Sequence, residues 1–203
     1  MGLYTGSASY VRYRLVEDQP ERIKEIALEK LKQFSFREIE AGTLNEKSSG
    51  WVSAENMAST FFDDLHFCKE PYFAFSLRID VRRVPGLAMK AAMLREEIKY
   101  KKTTGLEVVR KKDRDVLKDQ VRQDLVRRSL PVPALFDVCW NTVTGEVLFF
   151  STSAAANEEF AVWFLRSFGL KLARLLPYDL AGVAAEKNPG VEIRFPTVSF
   201  TDE

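Results

Sequence analysis

Apolar positions recur along this chain with two periods, and the change from one to the other divides it into strands and helices. Aromatic and aliphatic residues alternate through residues 10–16, the period of a half-buried strand. Asp18 and Glu21 have the spacing of an N-terminal capping pair, with Pro20 in the tolerated first turn. The helix they announce carries Ile23, Ile26, Ala27, Leu31 and Phe34 on one face and Glu25, Lys30 and Lys32 outside. Ala41-Gly42 and Ser48-Ser49-Gly50 are turn signals, and Gly50-Trp51-Val52 opens a short strand. Residues 72–81 form a longer strand with Phe73, Phe75, Leu77, Ile79 and Val81 on one face.

Between Arg82 and Arg128 the texture becomes helical, interrupted only by Pro85, Gly86 and Gly105. Pro85 opens a helix in which Leu87, Ala91, Leu94 and Ile98 recur at i, i+4, i+7 and i+11, a stripe suited to packing on one partner helix. Gly105 stands where a helix C-cap favours glycine. A second helix follows with Leu117, Val121 and Leu125 as its stripe, so the two are expected to fold back as a projecting antiparallel hairpin. After Pro131 and Pro133, residues 135–141 and 146–152 read as strands joined by a turn at Thr142-Val143-Thr144-Gly145. Asn157-Glu158-Glu159 starts an amphipathic helix with Phe160, Phe164 and Phe168, ending at Gly169, and residues 171–177 and 191–195 are further strand candidates. The expected class is α+β, with mixed or antiparallel sheets, packed helices and a hairpin inserted over residues 84–130 of one unit spanning 1–203.

Composition changes this picture only through charge. Thirty Lys and Arg against 29 Asp and Glu give a net +1, which as an average points to no partner. Residues 82–128, however, hold fifteen cations and seven anions, a net of +8, which leaves −7 for the rest. The cations also form rows. Arg95, Lys99 and Lys102 are spaced i, i+4, i+7, and Lys111, Arg114, Lys118 and Arg122 are spaced i, i+3, i+7, i+11, with Arg127 and Arg128 closing the second helix. Both rows adjoin the packing stripes and are expected on one side of the hairpin. A pitch of about 5–6 Å suits a phosphate backbone. The competing reading is a solvated charged surface with pairs such as Asp115 with Lys118. Helix-turn-helix, zinc-finger and RNP patterns are missing, so contact with phosphates rather than bases is the form this hypothesis takes.

The order of motifs resembles a family. Residues 109–121, V-R-K-K-D-R-D-V-L-K-D-Q-V, resemble the L-K-K-x-E-K-D-x-L-K-D-E-V stretch of the recombination-associated RdgC proteins. Residues 125–130 stand where that family has L-L-P-R-A-F, and Gly50-Trp51-Val52 is similar to its G-W-V. Cys139-Trp140-Asn141 with Gly145 and the strand to Ser153 resemble its M-W-I-D hairpin. Residues 164–169 resemble its L-L-R-K-S-L-G helix end, and Leu175-Leu176-Pro177 its V-V-P-L. The resemblance implies a cytoplasmic, nucleoid-associated homodimer. In it a basic surface binds double-stranded DNA without sequence preference, modulates homologous recombination and restrains the RecA recombinase by occupying DNA. The contacts expected from charge and spacing are Arg95, Lys99, Lys102, Lys111, Arg114, Lys118, Arg122, Arg127 and Arg128, and the resemblance adds a dimer contact at Leu130 and a short homologue without the family's C-terminal portion. Glu107, Arg127 and Leu130 depart from the family's arginine, proline and phenylalanine at those places.

Two other readings stay open: a protein-interaction module that sets the hairpin on an acidic partner, and a divergent metal-dependent nuclease. For the nuclease, Asp63-Asp64 beside His66, Asp80, Asp137, Glu146 and Glu158-Glu159 are the available carboxylates, but Glu146-Val147-Leu148 lacks the lysine of an E-x-K motif. His66 is the single histidine, there is no phosphate-binding glycine loop, and Cys68 and Cys139 are too few for a disulfide framework. Cys139 beside Trp140 reads as a small buried hydrophobe, and Trp51, Trp140 and Trp163 as core. No catalytic residue, metal or cofactor is expected. Residues 1–5 lack signal-peptide features, Gly6 is out of place for myristoylation, and no apolar run reaches the roughly 18 residues of a membrane span, so a soluble, reducing intracellular setting is expected.

Overall fold

A computed structural model describes residues 2–4 and 7–176, apart from the side chains of Asp64 and Leu65. The chain runs β1 (Val11–Leu15), α1 (Ile23–Gln33), β2 (Lys47–Ser53), α2 (Asp64–Phe67), β3 (Cys68–Lys69), β4 (Tyr72–Arg82), α3 (Gly86–Thr104), α4 (Lys111–Arg128), β5 (Pro131–Asn141), β6 (Glu146–Phe149), α5 (Ala154–Phe168) and β7 (Leu172–Arg174). This is an α+β fold. Its strands form one antiparallel sheet in the order β2-β4-β5-β6-β1-β7, with β3 paired to β4. The strand candidate at 191–195 lies outside the described residues.

α1 and α5 cover one face of the sheet. The β4 residues that alternate inward, Phe73, Phe75, Leu77 and Ile79, meet Phe160, Phe164 and Phe168 of α5 and Leu31 of α1 in a single apolar cluster. The spacing of the three phenylalanines stacks them along one helix face, and Phe160 lies flat on Phe149 of β6 with centroids 4.2 Å apart. Trp51 and Trp140 are fully buried there, and Trp163 packs half-buried against Trp51.

Several local expectations give way to tertiary contacts. Asp18 and Glu21 cap nothing: α1 starts after Arg22, which has no side-chain cap bond, and Arg22 pairs with Glu25 instead. Ser48-Ser49-Gly50 is strand rather than turn, because β4 offers an antiparallel partner from Lys47↔Val81 to Ser53↔Phe75. Gly50 is required for another reason. The segment after α1 runs alongside, with Trp51 N donating to Phe34 O at 3.0 Å and Phe36 N donating to Trp51 O at 2.9 Å. A Cβ at position 50 would stand 2.6 Å from Phe36 N and 2.9 Å from the Ser35 carbonyl carbon, both backbone atoms that cannot swing aside. Gly50→Ala is therefore expected to destabilise the protein by about 1–3 kcal/mol, the cost of overpacking. A thermal melt checks this, and an unchanged midpoint would show that the segment moves freely.

β5 begins at Pro131 rather than near Leu135, pairing back to Arg82, and its prolines are tolerated because β6 covers only Val138–Trp140 and leaves that half of the strand open. α5 begins at Ala154 with Ser153 as N-cap, so Asn157 does not start it. Buried Asn157 instead accepts the Tyr13 hydroxyl at 2.7 Å and donates to the Ser151 and Ser153 carbonyls.

Candidate nucleic-acid interface

The hairpin expected from the helical segment is present. α3 ends at Gly105, whose φ of 71° is the left-handed conformation that suits glycine, and α4 runs back beside it. Partial burial, followed by a hydrogen bond to the Asp113 carboxylate, raises the Tyr100 hydroxyl pKa above its ordinary value, a contact between the two helices near their junction. α4 packs as its stripe predicts, with Val121 buried and Leu117 and Leu125 half-buried.

α3 does not. Leu87, Leu94 and Ile98 are 83%, 54% and 57% exposed, and Ala91 is exposed with them. The shielded positions of α3 are Met89, Ala92, Met93, Glu96, Glu97 and Tyr100, on the other side of the helix. Apolar residues stand almost all round α3, and the face chosen also lets Glu97 meet Arg114 of α4 at 2.8 Å.

That rotation moves the basic rows apart. Arg95 lines a cleft with Asp124, Leu125 and Arg128, and Lys99 lines another with Gln120, Asp124 and Arg127. At about 100° per residue, the α4 row of Lys111, Arg114, Lys118 and Arg122 falls on the Glu97 side of the seam, opposite to these clefts. The expectation that both rows share one side is thus overturned. One side gathers Arg95, Lys99, Lys102, Arg127 and Arg128, and the other carries Lys111, Arg114, Lys118 and Arg122.

The cations also differ in availability. Arg114 is held by Glu97, and Arg122 reaches Glu46 of the body at 2.8 Å. Lys99 pairs with Glu96 at 3.5 Å on its own helix. Arg82, counted with the hairpin by sequence, is 4% exposed and donates to the carbonyls of Glu40 and Thr43, so it fastens residues 40–43 to the end of β4. Arg127 and Arg128 line a 580 Å³ cleft at the root of the hairpin with Arg78, Arg82, Glu38 and Asp80. Arg78 and Asp80 form a bidentate pair on the sheet face away from the helices, both bonds 2.8 Å, and that hydrogen bond raises the Arg78 pKa. Arg78 also lies over the Phe36 ring, 4.2 Å from its centroid. Sequence reading gave Arg78 no role. An Arg and an Asp two apart in a strand share a face, which was the available signal. Leu130, the expected dimer contact, is 85% exposed beside Val132 at 60%.

A search of protein families matches residues 9–181 to the family described as "Putative exonuclease, RdgC". The chain belongs to the RdgC family. The match spans the sheet, the hairpin and α5, and so unites the motifs that resemblance had connected. No curated protein matches the chain.

RdgC membership gives the motifs structural sense. G-W-V is the strand in which Gly50 admits the neighbouring backbone and Trp51 fills the core. The L-K-K run is α4, and the helix end before Gly169 places Phe164 and Phe168 on the sheet.

The carboxylates weighed for a nuclease are dispersed in this RdgC chain. Asp80 serves Arg78, Asp137 accepts from Ser76 Oγ at 2.6 Å and Leu3 N at 2.7 Å, Glu159 binds Lys47 and Ser49, and Asp63 contacts His66. Among the described residues no group of three His, Cys, Asp or Glu is placed to hold a metal ion. Cys139 is half-buried on the sheet face away from the helices, beside Arg12, Tyr72 and Leu148, rather than in the core, and burial raises its thiol pKa. Among the described residues no helix is long and apolar enough to cross a membrane.

Proposed function

We propose that this RdgC-family protein binds double-stranded DNA through its phosphates, without sequence preference, and modulates homologous recombination by occupying DNA against a RecA-type recombinase. The observation that carries the reading is charge segregation: residues 82–128 hold a net +8 against −7 elsewhere, and most of those cations stand on two solvent-facing helices. Arg95, Lys99, Lys102, Arg127 and Arg128 form the main contact surface, with Lys111 and Lys118 available on the other side and Arg114 and Arg122 contributing less because Glu97 and Glu46 already neutralise them. The acidic body turns away from DNA, so the hairpin over 84–130 acts as a finger on a single unit. The protein works as a cytoplasmic, nucleoid-associated homodimer in which Leu130 joins the subunit contact, supported by its exposure beside Val132. Binding needs no cofactor and breaks no bond in the DNA.

Unrelated duplexes of equal length should bind alike, and affinity should fall steeply with salt, log K changing by about −0.9 per phosphate contact for each tenfold rise. A gel shift at two salt concentrations, with Mg²⁺ and then with chelator, checks both parts. Binding absent at low salt removes the proposal, and Mg²⁺-dependent shortening of the duplex favours the nuclease.

A further inference from the structure

We propose that the outward face of α3 docks an acidic amphipathic helix of a partner protein. The face is the stripe of Leu87, Ala91, Leu94 and Ile98, which turns away from α4 and remains exposed. Twelve residues, eleven steps of 1.5 Å, make it about 16 Å long, three turns, and all its apolar members fall within a narrow arc. Such a seam takes another helix.

The border of the stripe selects the occupant. Lys90 stands three residues after Leu87, Arg95 four after Ala91, and Lys101 and Lys102 three and four after Ile98, so each adjoins the stripe. All four are exposed, and none has an ion-pair partner among the described residues. The one acid beside the stripe, Glu97, is turned to Arg114. A helix with leucines at its seam and glutamates flanking them would pair with both edges, as flanking charges set partner choice in coiled coils. A second copy of α3 would bring lysine and arginine borders together and be repelled. Phosphates gain nothing from the leucines. A lipid surface favours a broader apolar face with aromatic anchors, and this stripe has neither. The inference shares Arg95 and Lys102 with the DNA reading but not the apolar stripe, so substitutions in the stripe test it separately.

The test uses the full chain and three labelled helical peptides: leucine seam with glutamate flanks, leucine seam with lysine flanks, and serine seam with glutamate flanks. Fluorescence anisotropy is expected to show binding of the first alone. Leu94→Gln with Ile98→Gln removes apolar surface at exposed positions without changing charge or helix preference, and should weaken that binding on the order of tenfold or more while leaving duplex affinity unchanged. No binding of the first peptide, equal binding of the lysine peptide, or indifference to the double substitution overturns the proposal. So does self-association, or flotation with anionic phosphatidylserine vesicles, that the double substitution abolishes, because a second copy or a membrane would then occupy the stripe.

Discussion

Arg95, Lys102, Arg127 and Arg128 replaced together by alanine are expected to lower affinity for duplex DNA by on the order of tenfold per lost contact near 50 mM salt, and to flatten the salt slope by about four. The magnitude follows from counterion release. Each neutralised phosphate frees a condensed cation, and the free energy of that release grows as the bulk salt is diluted. These four are chosen because Arg95, Arg127 and Arg128 line the clefts on one side of the hairpin, Lys102 follows Arg95 by two helical turns, and none of them has an ion-pair partner among the described residues. The paired set gives the contrast. Arg114→Ala with Arg122→Ala removes the same type of charge, but each of those guanidinium groups already faces a carboxylate at 2.8 Å. Before it contacts a phosphate it must leave that partner, so its loss should flatten the slope by much less than two. Titrations at several salt concentrations decide the matter. Equal effects from the two sets would mean that the ion pairs open at no cost, and no effect from the first would remove its members from the interface.

The second large effect concerns the core that holds the hairpin in place. Trp51→Ala is expected to cost about 3–5 kcal/mol, enough to unfold much of a domain whose total stability is of order 5–15 kcal/mol. Trp51 is 0% exposed and touches three aromatic rings from two directions: Phe75 edge-on at 5.1 Å, Trp163 edge-on at 6.4 Å and Phe168 tilted at 5.8 Å. Its indole Nε1 also donates to Ser167 Oγ at 2.8 Å in a buried setting. Alanine would leave a cavity between β2 and α5 and strand the Ser167 hydroxyl. Urea denaturation followed by circular dichroism measures the loss. Trp51→Phe should recover much of it, because a ring still fills the space, and retain only the deficit of the missing hydrogen bond. A loss below about 1 kcal/mol for alanine would mean that the neighbouring rings collapse into the gap.

The two results address different kinds of information. Trp51, the phenylalanines of α5 and the alternation of β4 were legible in order along the chain, because burial on one face of a regular element imposes a period on its own sequence. Gly105 and Gly169 announced the ends of their helices for a similarly local reason: both adopt left-handed φ values, 71° and 72°. The start of α1 was not legible. A capping pair is a local preference of about 1 kcal/mol, and packing moved the helix start past it. Ser48-Ser49-Gly50 misled in the same way, since polar residues and glycine read as turn until a neighbouring strand supplies hydrogen bonds.

The candidate interface divides along the same line. Its net charge was fixed by composition, because fifteen cations against seven anions in residues 82–128 are basic however the segment folds. Its arrangement was not. α3 has apolar residues on nearly every side, so periodicity alone could not choose between Leu87–Ile98 and Met89–Tyr100 as the packed face. The antiparallel seam chose, admitting Glu97 opposite Arg114, and that choice turned the two basic rows to opposite sides and left the leucine stripe uncovered. Likewise no sequence pattern joins Arg122 to Glu46, 76 residues away, or commits Arg82 to the carbonyls of residues 40 and 43. The amino-acid order determines which segments become strands or helices and how much charge each holds, since those are sums over neighbours in the chain. Which face meets which partner, and so which charges remain free for a ligand, depends on contacts between distant residues, and only the tertiary structure decides it.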